Sequence, residues 1–165
     1  MSRTCKGHYY ISILVENGTE LPEKQEFSES TTVGIDVGIK DFATLSTGEK
    51  IENPKYLKNS LQRLKVLQKR LSRKQKGSKK RAKAKQRLVA LHEKIRNQRN
   101  NFQNKLSLKL VSENQAIALE TLNVKEMQKN PHLAQAIVDS GWSSFVTKLE
   151  YKAEFWKNCI KSRSI

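Results

Sequence analysis

Two carboxylates are the residues of this sequence whose types and spacing could perform chemistry. Asp36 lies within the apolar run 33–37, and Glu120 closes the apolar run 116–120. Both runs have the composition of short buried strands, in which an isolated carboxylate is costly unless it meets a cation or hydrogen-bond donors. Acids at the ends of two neighbouring strands could hold two divalent ions about 3.5–4 Å apart, the arrangement that clamps both oxygens of a phosphodiester displacement. The alternative for Asp36 is that it only caps a turn.

The elements that must position Asp36 are three short strands joined by tight turns. Gly38 permits a turn after the first strand, Phe42 to Ser46 has the pattern of a return strand, and Lys50 to Asn53 that of a third. The sequence therefore predicts a three-stranded antiparallel meander over about residues 32–53. Asn114 to Glu120 is predicted to form a fourth strand beside the first.

A helical hairpin is predicted over residues 55–113. Its first helix carries leucines at spacings of three and four, and its second helix has one apolar side as well. Gly77 and Ser78 lie in a strongly basic stretch from Arg73 to Arg81, which is typical of the turn between the helices. The leucines are assigned to ordinary core packing.

The basic residues of the hairpin favour a polyanionic partner. Residues 55–113 contain 20 Lys and Arg against only Glu93 and Glu113, whereas the whole chain has a formal net charge of +16. A solvated surface normally mixes charges of both signs, so this concentration indicates nucleic acid. The residues predicted to contact backbone phosphates are Arg70, Arg73, Lys74, Lys76, Lys79, Lys80, Arg81, Lys83, Lys85 and Arg87. The alternative is a highly soluble hairpin without a partner.

Two further helices are predicted beyond Pro131, over about 133–139 and 142–158. Trp142, Phe145, Leu149 and Trp156 recur at helical spacing, which favours packing on a sheet over stacking of a base. Asp139, Glu150 and Glu154 lie on these helices.

Composition restricts the class of protein further. The 165 residues are 36% hydrophobic, enough for one modest domain. There is no apolar run of membrane-spanning length and no signal peptide, so we expect a cytoplasmic protein without a membrane partner. Cys5 and Cys159 are far apart in the sequence and lack a CxxC partner, so we expect no zinc site and no disulfide.

Four segments of the sequence resemble the TnpB (OrfB) proteins of insertion sequences. These segments are Gly34 to Leu45, Leu71-Ser72-Arg73-Lys74, His92-Glu93-Lys94-Ile95 and Leu119 to Val124, and the similarity runs from about Tyr9 to Asn158. That family is related to type V CRISPR effectors and carries a RuvC-like nuclease domain of ribonuclease H fold. The resemblance assigns catalytic, metal-binding roles to Asp36 and Glu120, with Mg²⁺ or Mn²⁺ as the cofactor.

The resemblance also implies an organisation for the chain. We expect an α/β, ribonuclease H-like (RuvC-like) domain over 32–158 with the hairpin inserted at 55–113, preceded by a remnant strand and acidic connector at 1–31. The family places a zinc ribbon and a third catalytic Asp beyond the last residue of this chain. Residues 159–165 have the composition of a polar tail, so we expect a domain that lacks its last strand and is truncated at both ends.

Three functional hypotheses remain open. The first is a truncated, transposon-encoded, RNA-guided DNA endonuclease that binds guide RNA and DNA but no longer cleaves. The second is an active divalent-metal-dependent nuclease. The third is a degenerate reading frame whose product has no selected role.

Overall fold

The computed structural model describes residues 2–4, 7, 9–15, 28–120, 122–156 and 159–163, with backbone only at 2–3, 155–156 and 159–163. The chain divides into two compact units. The first comprises Met1–Glu20 and Asn59–Gln98, and the second comprises Leu21–Lys58 and Arg99–Ile165. Most of the acidic connector predicted before residue 31 lies outside the described residues.

The elements alternate between strands and helices along the chain. The strands are β1 (Ser2–Arg3), β2 (Tyr9–Tyr10), β3 (Thr32–Val37), β4 (Asp41–Leu45), β5 (Lys50–Glu52), β6 (Ala116–Glu120) and β7 (Cys159–Arg163). The helices are α1 (Tyr56–Ser72), α2 (Lys79–Glu113), α3 (Val124–Met127), α4 (Ala134–Ser140) and α5 (Trp142–Trp156). None of the helices among the described residues is both long enough and apolar enough to cross a membrane.

The second unit is built on a mixed sheet with the strand order β5-β4-β3-β6-β7. Strands β3, β4 and β5 form an antiparallel meander, and β6 pairs with β3 in parallel. The predicted meander and the predicted position of the fourth strand are therefore confirmed. The α/β class is confirmed as well.

The expectation that the sheet lacks its last strand is wrong. Strand β7 pairs in parallel with β6 along its whole length, from Ala116 opposite Cys159 to Glu120 opposite Arg163. Its sequence, Cys-Ile-Lys-Ser-Arg, is short and polar because an edge strand needs no apolar alternation and is often charged. The segment that we interpreted as a polar tail is thus the fifth strand of this sheet.

One face of the sheet carries the core of the second unit. Side chains of β3, β4 and β6 pack there against the last turns of α2 and against α4 and α5. Phe42 of β4 lies at the centre, with its ring 5.0 Å from the rings of Phe102 on α2 and Phe145 on α5, both in edge-to-face geometry. The prediction that Trp142, Phe145 and Leu149 pack on the sheet is confirmed, since all three are buried. The side chain of Trp156 lies outside the described residues.

Polar side chains of α2 fix the C-terminal end of helix α4. Gln103, which is fully buried, donates to the carbonyls of Ser140 and Gly141 at 2.9 and 3.0 Å, and Arg99 donates to the carbonyl of Val138 at 2.7 Å. These bonds satisfy carbonyls that the end of a helix leaves without partners. Gly141 ends the helix with a φ of 64°, a left-handed conformation that favours glycine.

Asp139 connects α4 to the first turn of α1. Its two carboxylate oxygens accept hydrogen bonds from the backbone N–H groups of Leu57 and Lys58, each at 2.9 Å. The first N–H groups of a helix have no partner within the helix and lie at the positive end of its dipole, so a carboxylate is stabilising there. Asp139 is therefore engaged in capping α1.

The first unit contains most of the two long helices and the turn between them. Residues 73–78 form the turn, with Gly77 at a φ of 83°. Arg81 closes this turn, because its guanidinium donates to the carbonyls of Leu71 and Lys74 at 3.1 and 2.9 Å. The two-stranded sheet of β1 and β2 also belongs to this unit.

Removal of the Asp139 carboxylate should destabilise the protein. We expect Asp139→Ala to lower the free energy of unfolding by about 1–3 kcal/mol, because two N–H groups in the first turn of α1 lose a charged acceptor. The measurement is urea denaturation followed by circular dichroism. Glu154→Ala, which removes an exposed carboxylate from α5, is the matched control and should change stability by less than about 0.5 kcal/mol. Equal midpoints for the two variants would show that the cap contributes nothing.

Candidate functional site

Asp36 and Glu120 lie side by side on the open face of the sheet. The parallel register of β3 and β6 pairs Gly34 with Ala118 and Ile35 with Leu119, so the next position brings Asp36 beside Glu120. Ile35 and Leu119 are buried, whereas Asp36 is exposed and Glu120 is half-buried. Since side chains alternate between the faces of a strand, the two acids share the face opposite the core.

Small side chains surround the two carboxylates. Gly34 and Ala118, two residues before each acid, lie on the same face, and Thr44 is the register partner of Asp36 on β4. These residues line a groove of about 510 Å³ together with Ser46 and the two acids. A Cβ placed on Gly34 would meet the Cβ of Ser46 at 3.4 Å, so this part of the groove is already closely packed. The small residues leave the carboxylate oxygens accessible.

Neither carboxylate has a side-chain partner among the side chains that the structure describes. Within the part of the chain that the structure describes, Asp36 and Glu120 form no ion pair and accept no side-chain hydrogen bond. Carboxylate oxygens are the ligands that Mg²⁺ and Mn²⁺ prefer, so the donor set fits a hard divalent cation. The described residues contain no cluster of three or more His, Cys, Asp or Glu side chains placed to hold a metal ion.

A second cavity lies between the end of β6 and helix α5. It has a volume of about 410 Å³, and its lining includes Glu120, Glu150, Thr147 and Trp142. Glu150 thus shares a cavity with Glu120, a placement that the sequence did not indicate. Asp139, the other acid on these helices, is occupied by its cap on α1.

The basic residues predicted to contact phosphate lie at the far half of α1, in the turn and at the start of α2. Nine of these ten side chains are exposed, and Arg81 is half-buried. None of them forms an ion pair among the described residues. The guanidinium of Arg81 donates to two carbonyls of the turn, whereas the other nine cationic groups face solvent.

Other cations donate hydrogen bonds within the second unit. Lys152 donates to the carbonyl of Asn104 at 2.7 Å and to the hydroxyl of Ser107 at 2.8 Å. Burial, followed by the nearby charge of Lys148, lowers the pKa of Lys152. Burial and then the charge of Arg99 lower the pKa of Lys148. These lysines join α5 to α2, so they are structural.

The chain belongs to the OrfB_IS605 family, described as a probable transposase, whose pattern it matches over residues 12–131. It is therefore a TnpB-type insertion-sequence protein, and the resemblance found in the sequence is confirmed.

Two curated relatives are similar over nearly the whole chain. A protein of Streptomyces pristinaespiralis named "Putative RNA-guided DNA endonuclease" is 41% identical over 156 residues, which is 94% of this chain and 38% of the relative. "Putative RNA-guided DNA endonuclease InsQ" of Escherichia coli (strain K12) is 30% identical over 172 residues, which is 95% of this chain and 42% of the relative. The chain thus spans about two fifths of the length of these relatives.

The neighbourhood of the two acids can be tested by cross-linking. Register neighbours on adjacent strands lie about 4.7–4.9 Å apart, within the range of about 4.4–6.8 Å that a disulfide spans. In a chain with Cys5→Ser and Cys159→Ser, we expect Asp36→Cys with Glu120→Cys to form an internal disulfide on oxidation, detected by mass spectrometry. The control pair, Asp36→Cys with Leu119→Cys, points to opposite faces and should not cross-link. The reverse outcome would contradict the register.

Proposed function

We propose that this chain belongs to the lineage of RNA-guided DNA endonucleases and binds nucleic acid, with guide RNA and DNA as its partners. The observation that carries the proposal is the row of exposed cations without ion pairs on the hairpin. Two relatives named as RNA-guided DNA endonucleases support the choice of nucleic acid over other polyanions. The hairpin cations contact backbone phosphates and therefore position a strand without reading its bases.

We further propose that the second unit is a ribonuclease H-like, RuvC-like domain. Three features support this assignment: the antiparallel meander of β3, β4 and β5, the parallel pairing of β6 with β3, and the position of β7 at the edge beside β6. In this domain Asp36 and Glu120 are the catalytic and metal-binding residues, and they would hold Mg²⁺ or Mn²⁺. A divalent ion bound there would supply Lewis acidity at a phosphate oxygen and lower the pKa of a bound water. The two carboxylates contribute the negative charge that retains the ion, and the small residues around them leave room for a phosphodiester.

The chain by itself binds nucleic acid and cleaves it little or not at all. Two-metal hydrolysis needs one ion for the attacking oxygen and one for the leaving oxygen, both held in fixed positions. Mg²⁺ requires near-octahedral oxygen ligands and gives up its waters reluctantly, so a pair of carboxylates holds one ion better than two. Among the described residues, the site brings two carboxylates together.

Nucleic-acid binding should be strongly salt-dependent. If about 6–10 phosphates are contacted, affinity should fall about 10³–10⁵-fold between about 50 and 200 mM salt, because bound counterions are released on association. Replacement of Arg73, Lys74, Lys79 and Lys80 by Gln should flatten this dependence, while Arg81 is retained because it closes the turn. The measurement is fluorescence anisotropy with labelled oligonucleotides over a salt series.

A charge-matched control separates the hairpin from the total charge of the chain. Replacement of Lys40, Lys50, Lys125 and Lys129 by Gln removes four cations outside the hairpin. This variant should keep a slope close to that of the original chain. Binding that ignores salt, or equal slopes for the two variants, would contradict the proposal.

Cleavage by the chain alone should be absent. Purified protein with Mg²⁺ or Mn²⁺, a matching guide RNA and labelled DNA should leave the DNA intact on a denaturing gel. Cleavage that is lost in Asp36→Ala would overturn this expectation. It would favour the alternative, an active metal-dependent nuclease with a further ligand, for which Glu150 would be the first residue to test.

A further inference from the structure

A groove runs between the two helices of the hairpin and combines an apolar floor with a cationic rim. We call it the hairpin groove; it has a volume of about 640 Å³. Its floor is formed by Val66 and Leu67 of α1 and by Ala90 and Leu91 of α2. Its rim carries four cations, which are Arg63, Arg70, Arg87 and Lys94. The groove lies entirely within the first unit.

The rim cations are available to a ligand. All four are exposed, and the side chain of none of them has a hydrogen bond, an ion pair or another electrostatic partner within the described part of the chain. Val66, on the floor, is 49% exposed although it is aliphatic. Apolar surface at the centre of four unpaired cations is therefore open to solvent.

The spacing of the rim cations groups them into two pairs. Arg63 and Arg70 are seven residues apart on α1, and Arg87 and Lys94 are seven residues apart on α2, which is about 10.5 Å along each helix. The turn at 73–78 reverses the chain, so the last groove residue of α1, Arg70, lies at the same end of the groove as the first groove residue of α2, Arg87. Arg70 and Arg87 thus form the pair near the turn, and Arg63 and Lys94 form the pair farther away.

This arrangement matches a polymer that alternates anionic groups with flat apolar ones. Each cation pair suits a phosphate, and Arg can also stack its guanidinium plane on a base. A stacked strand advances about 3.4 Å per nucleotide, so the distance between the pairs corresponds to about three nucleotides. A duplex turns its bases inward and leaves the apolar floor uncovered, whereas a single strand can place a base on it.

We propose that the hairpin groove is a binding site for about three nucleotides of single-stranded nucleic acid. The proposal rests on the proposed function and adds Arg63 and Lys94, which the sequence did not single out. The side chains lining the groove are cationic or aliphatic, so none of them can accept a hydrogen bond from a ribose 2′-hydroxyl. The cations and the apolar floor contact phosphates and base faces, which RNA and DNA share, so the groove holds strands of both kinds.

The test compares two variants from which the same charge has been removed. In the groove variant, Arg63, Arg70, Arg87 and Lys94 are replaced by Gln. In the control variant, the exposed residues Lys65, Lys69, Lys83 and Lys85 of the same helices are replaced by Gln. The readout is the ratio of dissociation constants for a 12-nucleotide single strand and the corresponding duplex, measured by anisotropy at one salt concentration.

If the groove binds a single strand, the ratio of the two dissociation constants should differ between the variants. The original chain should bind the single strand about 10-fold more tightly than the duplex, the gain expected when one base packs on the aliphatic floor beside an Arg guanidinium. The groove variant should lose this preference, and the control variant should keep it while binding both ligands more weakly. Oligo(U) and oligo(dT) should bind the original chain within about twofold of each other, because the groove contacts phosphates and base faces, which both polymers share.

A second variant changes the floor and leaves the charge intact. Val66→Gln should reduce the preference for the single strand without changing the affinity for the duplex, and its exposed position makes the substitution compatible with folding. A single strand with abasic sites throughout should bind the original chain no better than the duplex does.

The outcomes separate this inference from the proposed function. If the groove and control variants lose the same fraction of both affinities, the groove is not a site, although the hairpin still binds nucleic acid. A preference for duplex, or for an acidic peptide over either nucleic acid, would also overturn the groove proposal. If the original chain shows no salt-dependent binding to any nucleic acid, the proposed function itself is wrong.

Discussion

The parallel pairing of β3 with β6 is the constraint on which the rest of this structure depends. It joins two segments that are separated in sequence by the whole hairpin and sets Asp36 beside Glu120. The register is fixed by the core, because Val33, Ile35, Ile117 and Leu119 must all face the helices. A slip of one residue would turn the apolar side chains of one strand to solvent and its acid into the core, so the burial of these residues and the meeting of the acids have the same origin.

The cations of this protein divide into two groups that do different work. Arg81, Arg99, Lys148 and Lys152 donate to carbonyls of the chain and fix the turn, α4 and α5 in place. Lys109, near the end of α2, pairs with Glu49 at 2.9 Å. The cations of the hairpin nearer the turn have few acids around them in the sequence, since residues 55–113 contain only two Glu. Mutual repulsion among them is relieved when a polyanion binds, which links the low acid content of the hairpin to the partner that we propose. The same concentration of charge would raise the local concentration of any polyanion around the chain.

The sequence predicted those parts of the fold that carry a strong local signal. Alternating β-branched residues around Gly34 and Gly38 identified β3, and leucine spacing identified α1. It failed at β7, where Lys161, Ser162 and Arg163 carry no apolar alternation and where pairing with β6 depends on backbone hydrogen bonds. The cap formed by Asp139 could not be predicted from the sequence either, because its partners lie 81 and 82 residues away along the chain. For the candidate site, the sequence predicted that Asp36 and Glu120 lie on neighbouring strands, and the register brings them together. Arg63 and Lys94 of the proposed groove were not predicted to bind, because the groove depends on how the two helices pack.

The central claim is that Asp36 and Glu120 act as one cation site, and metal binding tests it most directly. Titration of the protein with Mn²⁺, followed by electron paramagnetic resonance of the free ion, gives the number of bound ions and their affinity. The account predicts one bound ion per chain at this site. Asp36→Asn and Glu120→Gln should each abolish its binding, and the double variant should lose no more, because the two carboxylates hold the same ion. Binding that survives both substitutions, or two independent losses that add in the double variant, would contradict it.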